Sequence, residues 1–410
     1  MLIVFAALRP FASLREIFPA IKPFFKHPVC KLPAPFIITN KHMRFCKTVY
    51  TKAISLLLLV CLAMSGHTQP AFEKIDDWLG DNVAKMGGRV ILMVYKDGKI
   101  VYTHAENEMS RRQKMAGRFI AKRQGKPANT NDYTSTTRQP IASCSKWLSA
   151  ALVMTFVDEG KLQLTDTVGK YLPVLSQHGK GNITIMQCLS HTTAIKTPPL
   201  KESLSDMKAA NSMDDAIAQI AVLPMEGEPG KVFRYSNAGL QIAGAVIEKI
   251  SGQSFETLFA ERIAKPLGMT NTDFGNTKVP LPAGGASSTP QDYMNLLIMI
   301  LNKGMFNNKR ILSESSIAAM QVNRVTKDVK VAYAPAEAGS FGYGFGEWVM
   351  EDATSGKPAK AVTSPGLFGS FPWIDNEKKY AAFMMTFYIK NDGRHERYVT
   401  LKQLVDEAIR

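Results

Sequence analysis

Extended and helical patterns are segregated along this chain, and that segregation limits the folds open to it. Near the start, Val90-Ile91-Leu92-Met93-Val94-Tyr95 is strand-like, Lys96-Asp97-Gly98-Lys99 has the chemistry of a hairpin turn, and Ile100-Val101-Tyr102 returns. Near the end, Phe345 to Met350, Phe371 to Asp375 and Tyr380 to Phe387 look extended. Helical spacing fills the middle. Trp147 to Val157 is an apolar helix that stops at Glu159-Gly160, and Thr184 opens a short helix over 183–191. The stretch 211–265 reads as mainly helical, with Leu240, Ile242, Val246, Ile247 and Ile250 on one face and Gly252 as a stop. A further helix runs over 290–302. Amphipathic helices close both ends: Phe72, Ile75, Trp78, Leu79 and Val83 first, then Tyr398, Leu401, Val405 and Ile409. Strands at both ends with helices between predict an α+β fold, a core sheet interrupted by a helical lobe.

The first 69 residues read differently. They hold nine of the 50 basic residues and one of the 35 acidic ones, so the formal charge of +15 overstates the basicity of the rest. The remainder carries 41 basic and 34 acidic residues, which is no nucleic-acid footprint. Residues 43–69 resemble a secretory signal: Arg44, Lys47 and Lys52, then an apolar run from Ala53 to Met64, then small residues. That run, about a dozen residues, is short for a membrane span. Val60 before Cys61 fits a lipoprotein signal poorly. Residues 1–42 read as an extension ahead of a translation start at Met43, or as a membrane-facing basic extension. The expectation is a protein exported to the periplasm or beyond, touching a membrane only through the signal segment. Of the five cysteines, Cys30, Cys46 and Cys61 fall in this region; Cys144 and Cys188 read as small buried hydrophobes, and none has metal-ligand spacing. Arg111, Arg112, Lys114, Arg118, Lys122, Arg123 and Lys126 form a basic run that reads as a solvated loop or short helix, or as a surface for an anionic partner.

Ser143-Cys144-Ser145-Lys146 opens the apolar helix. A serine three residues before a lysine puts hydroxyl and amine on one helical face. The hydroxyl is a poor nucleophile until a neighbour takes its proton, and burial lowers a lysine pKa enough for that work. Ser205-Asp206-Met207-Lys208 has the same spacing but no apolar helix after it, so it reads as solvated surface. Downstream, Tyr235-Ser236-Asn237 lies on a loop between Pro229-Gly230 and a helix start. A lysine ammonium beside Tyr235 would pull its pKa down and make it a general base, later an acid to the leaving group. Asn237 could donate to a substrate carbonyl or hold Lys146. Tyr293-Met294-Asn295 repeats the pattern inside a helix, where packing is the better reading.

With these motifs in this order, the chain resembles the serine β-lactamase and penicillin-binding-protein superfamily, closest to its class C-like branch. The resemblance covers about residues 72–410, read as one serine hydrolase domain. Supporting stretches are 160–166, Ile183-Thr184 to His191-Thr192, 229–239, Lys265-Pro266-Leu267-Gly268-Met269 and 342–346. It implies an antiparallel sheet flanked by helices from the N- and C-terminal segments, with an inserted all-helical lobe. It also implies acyl-enzyme chemistry with Ser143, Lys146 and Tyr235 catalytic, Asn237 binding substrate, and no metal or cofactor. One motif departs from the family pattern. Where the family has Lys or His, a small residue and Gly, this chain has Ser364-Pro365-Gly366. Ser364 replaces the cation and Pro365 removes a backbone donor. Gly366 allows close approach to substrate, and the family pattern puts the oxyanion hole at the N–H groups of Ser143 and Leu367. The missing cation argues against β-lactams and carboxylate-ended peptides, and the expected substrate is a small ester or a cell-wall-derived or D-amino-acid peptide. The rivals are a β-lactamase or DD-carboxypeptidase, and a binding protein that retains the fold without catalysis.

Overall fold

The computed structural model describes residues 70–410 apart from 124, 126–127, 203–208, 276 and 355. The extension 1–42, the signal segment 43–69 with its three cysteines, Lys126 and the Ser205–Lys208 pair lie outside the described residues. Two strands come from the N-terminal side, β1 (Arg89–Lys96) and β2 (Lys99–Asn107). Five come from the C-terminal side: β3 (Gly342–Tyr343), β4 (Trp348–Glu351), β5 (Ala361–Thr363), β6 (Phe371–Asp375) and β7 (Tyr380–Thr386). They form one seven-stranded sheet in the order β2–β1–β7–β6–β5–β4–β3. Every neighbour is antiparallel. Asp97 and Gly98 both adopt positive φ, 52° and 82°, which the tight two-residue turn between β1 and β2 requires. The two ends of the chain meet where β1 pairs β7, Val90 opposite Thr386 and Lys96 opposite Tyr380.

Alternation along the strands assigns the two faces. Val90, Leu92 and Val94 join Trp373, Ala382 and Met384 beneath helices α1 (Glu73–Val83) and α6 (Arg394–Ala408). Ile91, Met93, Phe383 and Met385 point to the other side, into the helical lobe. Both faces are covered, which is why β1 reads as an unbroken apolar run. The lobe centres on α2 (Ser145–Asp158), whose residues from Ser145 to Phe156 are all buried. α4 (Ala238–Ser251) packs on it, α3 (Ile185–Leu189) packs on α4, and α5 (Pro290–Leu301) lies against the sheet on β7, β1 and β6. Thr184 and Gln187 form a capping box on α3, and Gly252, at φ 70°, ends α4. Tyr293 of α5 stacks on Phe383 of β7 at 4.8 Å, the packing role expected of it.

Two expectations change. The helical stretch 211–265 divides into Met213–Ala221, α4 and Phe255–Phe259 with one π turn after it. A loop carrying Pro224, Pro229 and Gly230 and a short strand, Val232–Arg234, separate the first two, and that strand pairs parallel with Lys330–Tyr333. The strand expected from Phe345 starts only at Trp348, because Gly346 turns the backbone at φ 73°. The basic run forms a helix, Arg111–Arg123. Among the described residues, Glu351, Asp375 and Asp406 converge closely enough to suggest a metal site. The Lys402 ammonium already occupies that position, 2.7, 2.9 and 2.9 Å from the three carboxylates.

Candidate active site

Ser143 lies in a single 3₁₀ turn, Ala142–Cys144, that leads directly into α2. The turn is entered through Ala142 at φ 46°, a conformation costly for any residue with a Cβ. Gly366 backs it at van der Waals range. A Cβ there would collide with the Ile141 carbonyl and sit 3.2 Å from Cys144 Sγ.

One helical turn on, Lys146 is buried, and its Nζ lies 3.3 Å from Ser143 Oγ and 2.7 Å from the Ala283 carbonyl. Burial lowers its pKa to about 7. A neutral amine here donates one N–H to Ala283 and keeps its lone pair for the Ser143 proton. The anchor is thus Ala283, not Asn237. The same loop is held by Ser145 Oγ, which accepts from the Ala286 N–H at 3.0 Å, and by Ser149 Oγ, which donates to the Pro282 carbonyl at 2.6 Å.

Tyr235 brings its ring 4.6 Å from Lys146 Nζ. The expected lowering of its pKa is reversed. Desolvation raises it above the ordinary phenol value, and its hydrogen bond with Ser143 offsets that only in part. Tyr235 is therefore a neutral proton donor at rest. Its ring is packed by His191 at 4.8 Å and Trp348 at 5.0 Å. His191 Nε2 lies 3.1 Å from the Tyr343 hydroxyl, and burial pushes its pKa well below the usual range, so it is neutral.

Asn237 lines the cleft at the start of α4, where its side chain makes no capping bond. Ser364 does not line the cleft. It is buried, and its hydroxyl donates to the Gly346 carbonyl at 3.0 Å, with the Ser143 carbonyl 3.3 Å away. Leu367 does line it. Among the described residues, the N–H groups of Ser143 and Leu367 donate to no protein acceptor. Both remain available to a developing oxyanion. Arg394, fully buried, donates to the Leu367 carbonyl at 3.0 Å and to those of Tyr388 and Lys390 at 3.2 and 2.9 Å. It thereby ties the Leu367 turn to the loop after β7.

The cleft has a volume of about 560 Å³. Its walls include Lys196 to Leu200, Tyr333 and Pro335 to Glu337. Sequence reasoning missed Ala283, His191, Tyr343, Trp348 and Arg394. The stretches 183–192 and 342–346 were singled out by resemblance, without roles.

The beta-lactamase family profile matches residues 81–403. Protein Rv1367c of Mycobacterium tuberculosis is 26% identical over 288 residues, 57% of this chain and 71% of its own. A candidate beta-lactamase from Bacteroides dorei is 28% identical, with a TM-score of 0.69 over 82% of this chain and 98% of its own. A family VIII carboxylesterase shares the fold at 18% identity, with a TM-score of 0.62 over 83% of this chain and 99% of its own.

Proposed function

The chain belongs to the beta-lactamase family, and from that premise we propose that it is a serine hydrolase working through an acyl-enzyme on neutral esters. The observation that carries this reading is the buried Lys146 amine, 3.3 Å from Ser143 Oγ with its pKa lowered to about 7. Ser143 Oγ attacks the ester carbonyl as its proton passes to Lys146. The oxyanion takes hydrogen bonds from the N–H groups of Ser143 and Leu367. As the C–O bond to the alcohol breaks, Tyr235 gives the alkoxide its proton and is reprotonated from Lys146. Water then attacks the acyl-enzyme, again losing a proton to Lys146, which returns it to Ser143 as the acid leaves. Asn237 is placed to orient the substrate from the α4 side.

A neutral substrate is favoured because Ser364 is no cation and is turned away from the cleft. Arg394 lies in the wall, but three of its N–H groups are held by backbone carbonyls and its charge is faced by Glu337 at 3.7 Å. A substrate carboxylate beside Ser143 would lack the strand cation that the family pattern supplies at position 364. The signal-like segment 43–69 supports export. The test compares kcat/KM for a short p-nitrophenyl ester with those for penicillin and a D-Ala-D-Ala peptide. The ester is expected to lead. Faster turnover of penicillin would overturn the neutral-ester reading and direct attention to Lys196 as the missing charge. No turnover of any substrate would favour the binding-protein reading.

A further inference from the structure

The helix Arg111–Arg123 plays no part in acyl transfer, and its surface is built in an unusual way. Met115 and Phe119 are 62% and 63% exposed. They are four residues apart and so share one face. At about 100° per residue, Arg111, Arg118 and Lys122 flank that face on one side, and Arg112 and Arg123 on the other. The less exposed stripe, Gln113, Gly117 and Ala121, lies opposite. The helix contains no acidic residue, and among the described residues none of its cations forms an ion pair. Two large apolar side chains thus stand at the centre of a basic, solvent-facing surface.

The opposite face of the helix meets the body of the protein through Gln113. Gly88 packs on Met109 and Gln113 beside the start of this helix, and Gly87 packs on Phe387 and Tyr388. Phe387 and Ile389 are 44% and 67% exposed, and Ile389 lines the cleft. Apolar side chains ringed by cations match the boundary of an anionic bilayer. There the apolar groups enter the acyl region and the long basic stems reach the phosphates. A duplex nucleic-acid surface would use the charges, but its stacked bases offer no free face to Met115 and Phe119.

We propose that this face docks the protein on an anionic phospholipid surface. The proposal does not depend on the acyl-transfer chemistry. The test is partitioning of the full chain onto vesicles containing phosphatidylglycerol, against vesicles of phosphatidylcholine alone. All variants share residues 1–69, so the contribution of that segment cancels in the comparison. Met115→Ser with Phe119→Ser, and separately Arg111→Gln, Arg118→Gln and Lys122→Gln together, should each lower partitioning onto the anionic vesicles about tenfold or more. Thermal melting should be unchanged, because these side chains are exposed. Brominated lipid should quench the indole of a Phe119→Trp variant more than the wild-type emission. Unchanged vesicle binding by the double-serine variant would overturn the proposal. So would tight duplex DNA binding that depends on the arginines but not on Met115 and Phe119, since that would assign a nucleic-acid surface.

Discussion

Lys146 is held by a contact that sets its chemistry. The Ala283 carbonyl takes one N–H and so aims the remaining lone pair toward Ser143, while burial keeps the amine ready to be neutral near pH 7. Protonated Lys146 cannot accept the serine proton. Hence kcat/KM for a neutral ester should rise with pH through about 7 and then level off. A pH–rate profile checks this, and a profile flat from pH 5 to 9 would contradict it. Lys146→Met and Tyr235→Phe should each cost about 10²–10⁴ in rate. The two losses should not multiply in the double variant, because one proton passes through both groups. Ser143 and Lys146 were legible because their helical spacing makes them neighbours whatever the rest of the fold does. The Ala283 anchor was not: it lies 137 residues away and uses a backbone carbonyl, which every residue type carries. The protonation state of Tyr235 was misread for a related reason. The lysine charge is visible in sequence, whereas the enclosure that outweighs it is built by His191, Tyr343 and Trp348 from distant segments.

At the scale of elements, the site depends on how closely α2 meets the sheet. Gly346, at φ 73°, lets β4 approach α2; a Cβ there would sit 2.5 Å from the Lys146 carbonyl and 2.7 Å from Ala150 Cβ. Gly346→Ala should therefore destabilise the protein by about 2–4 kcal/mol, combining overpacking with a disfavoured φ. Urea denaturation measures this, and a loss below about 0.5 kcal/mol would show that the α2–sheet spacing is looser than described. On the opposite face, Lys402 of α6 fills the acidic cluster of Glu351, Asp375 and Asp406. Lys402→Met leaves buried Asp375 with the Lys378 backbone N–H at 2.7 Å and no ammonium nearer than Lys378 at 3.5 Å, and should cost about 3 kcal/mol in urea denaturation. The sheet was legible element by element, because turn chemistry and apolar runs mark each strand. Strand order and the pairing of β1 with β7 carry no local signal, because the partner strands come from opposite ends of the chain. Arg394 shows the limit from the other side. In sequence it is a polar residue at the start of the last helix; in the fold it is buried and clamps the Leu367 turn.

Across the whole molecule, the cleft is assembled from parts that no single segment contains. Ser143 and Lys146 come from the entry to α2 and Tyr235 and Asn237 from the entry to α4, while Leu367 comes from the β5–β6 connection. The first two pairs belong to the lobe and the last to the sheet, so the site exists only when the two ends of the chain have paired and the lobe has closed against them. The central claim is that this assembly makes Ser143, and no other serine, the nucleophile. The most direct measurement is incubation with a fluorophosphonate followed by peptide mass spectrometry. The account predicts a single adduct on Ser143 that is absent from Ser143→Ala, with thermal melting of the variant unchanged. An adduct on Ser145 or Ser364, or labelling that persists in Ser143→Ala, would contradict it.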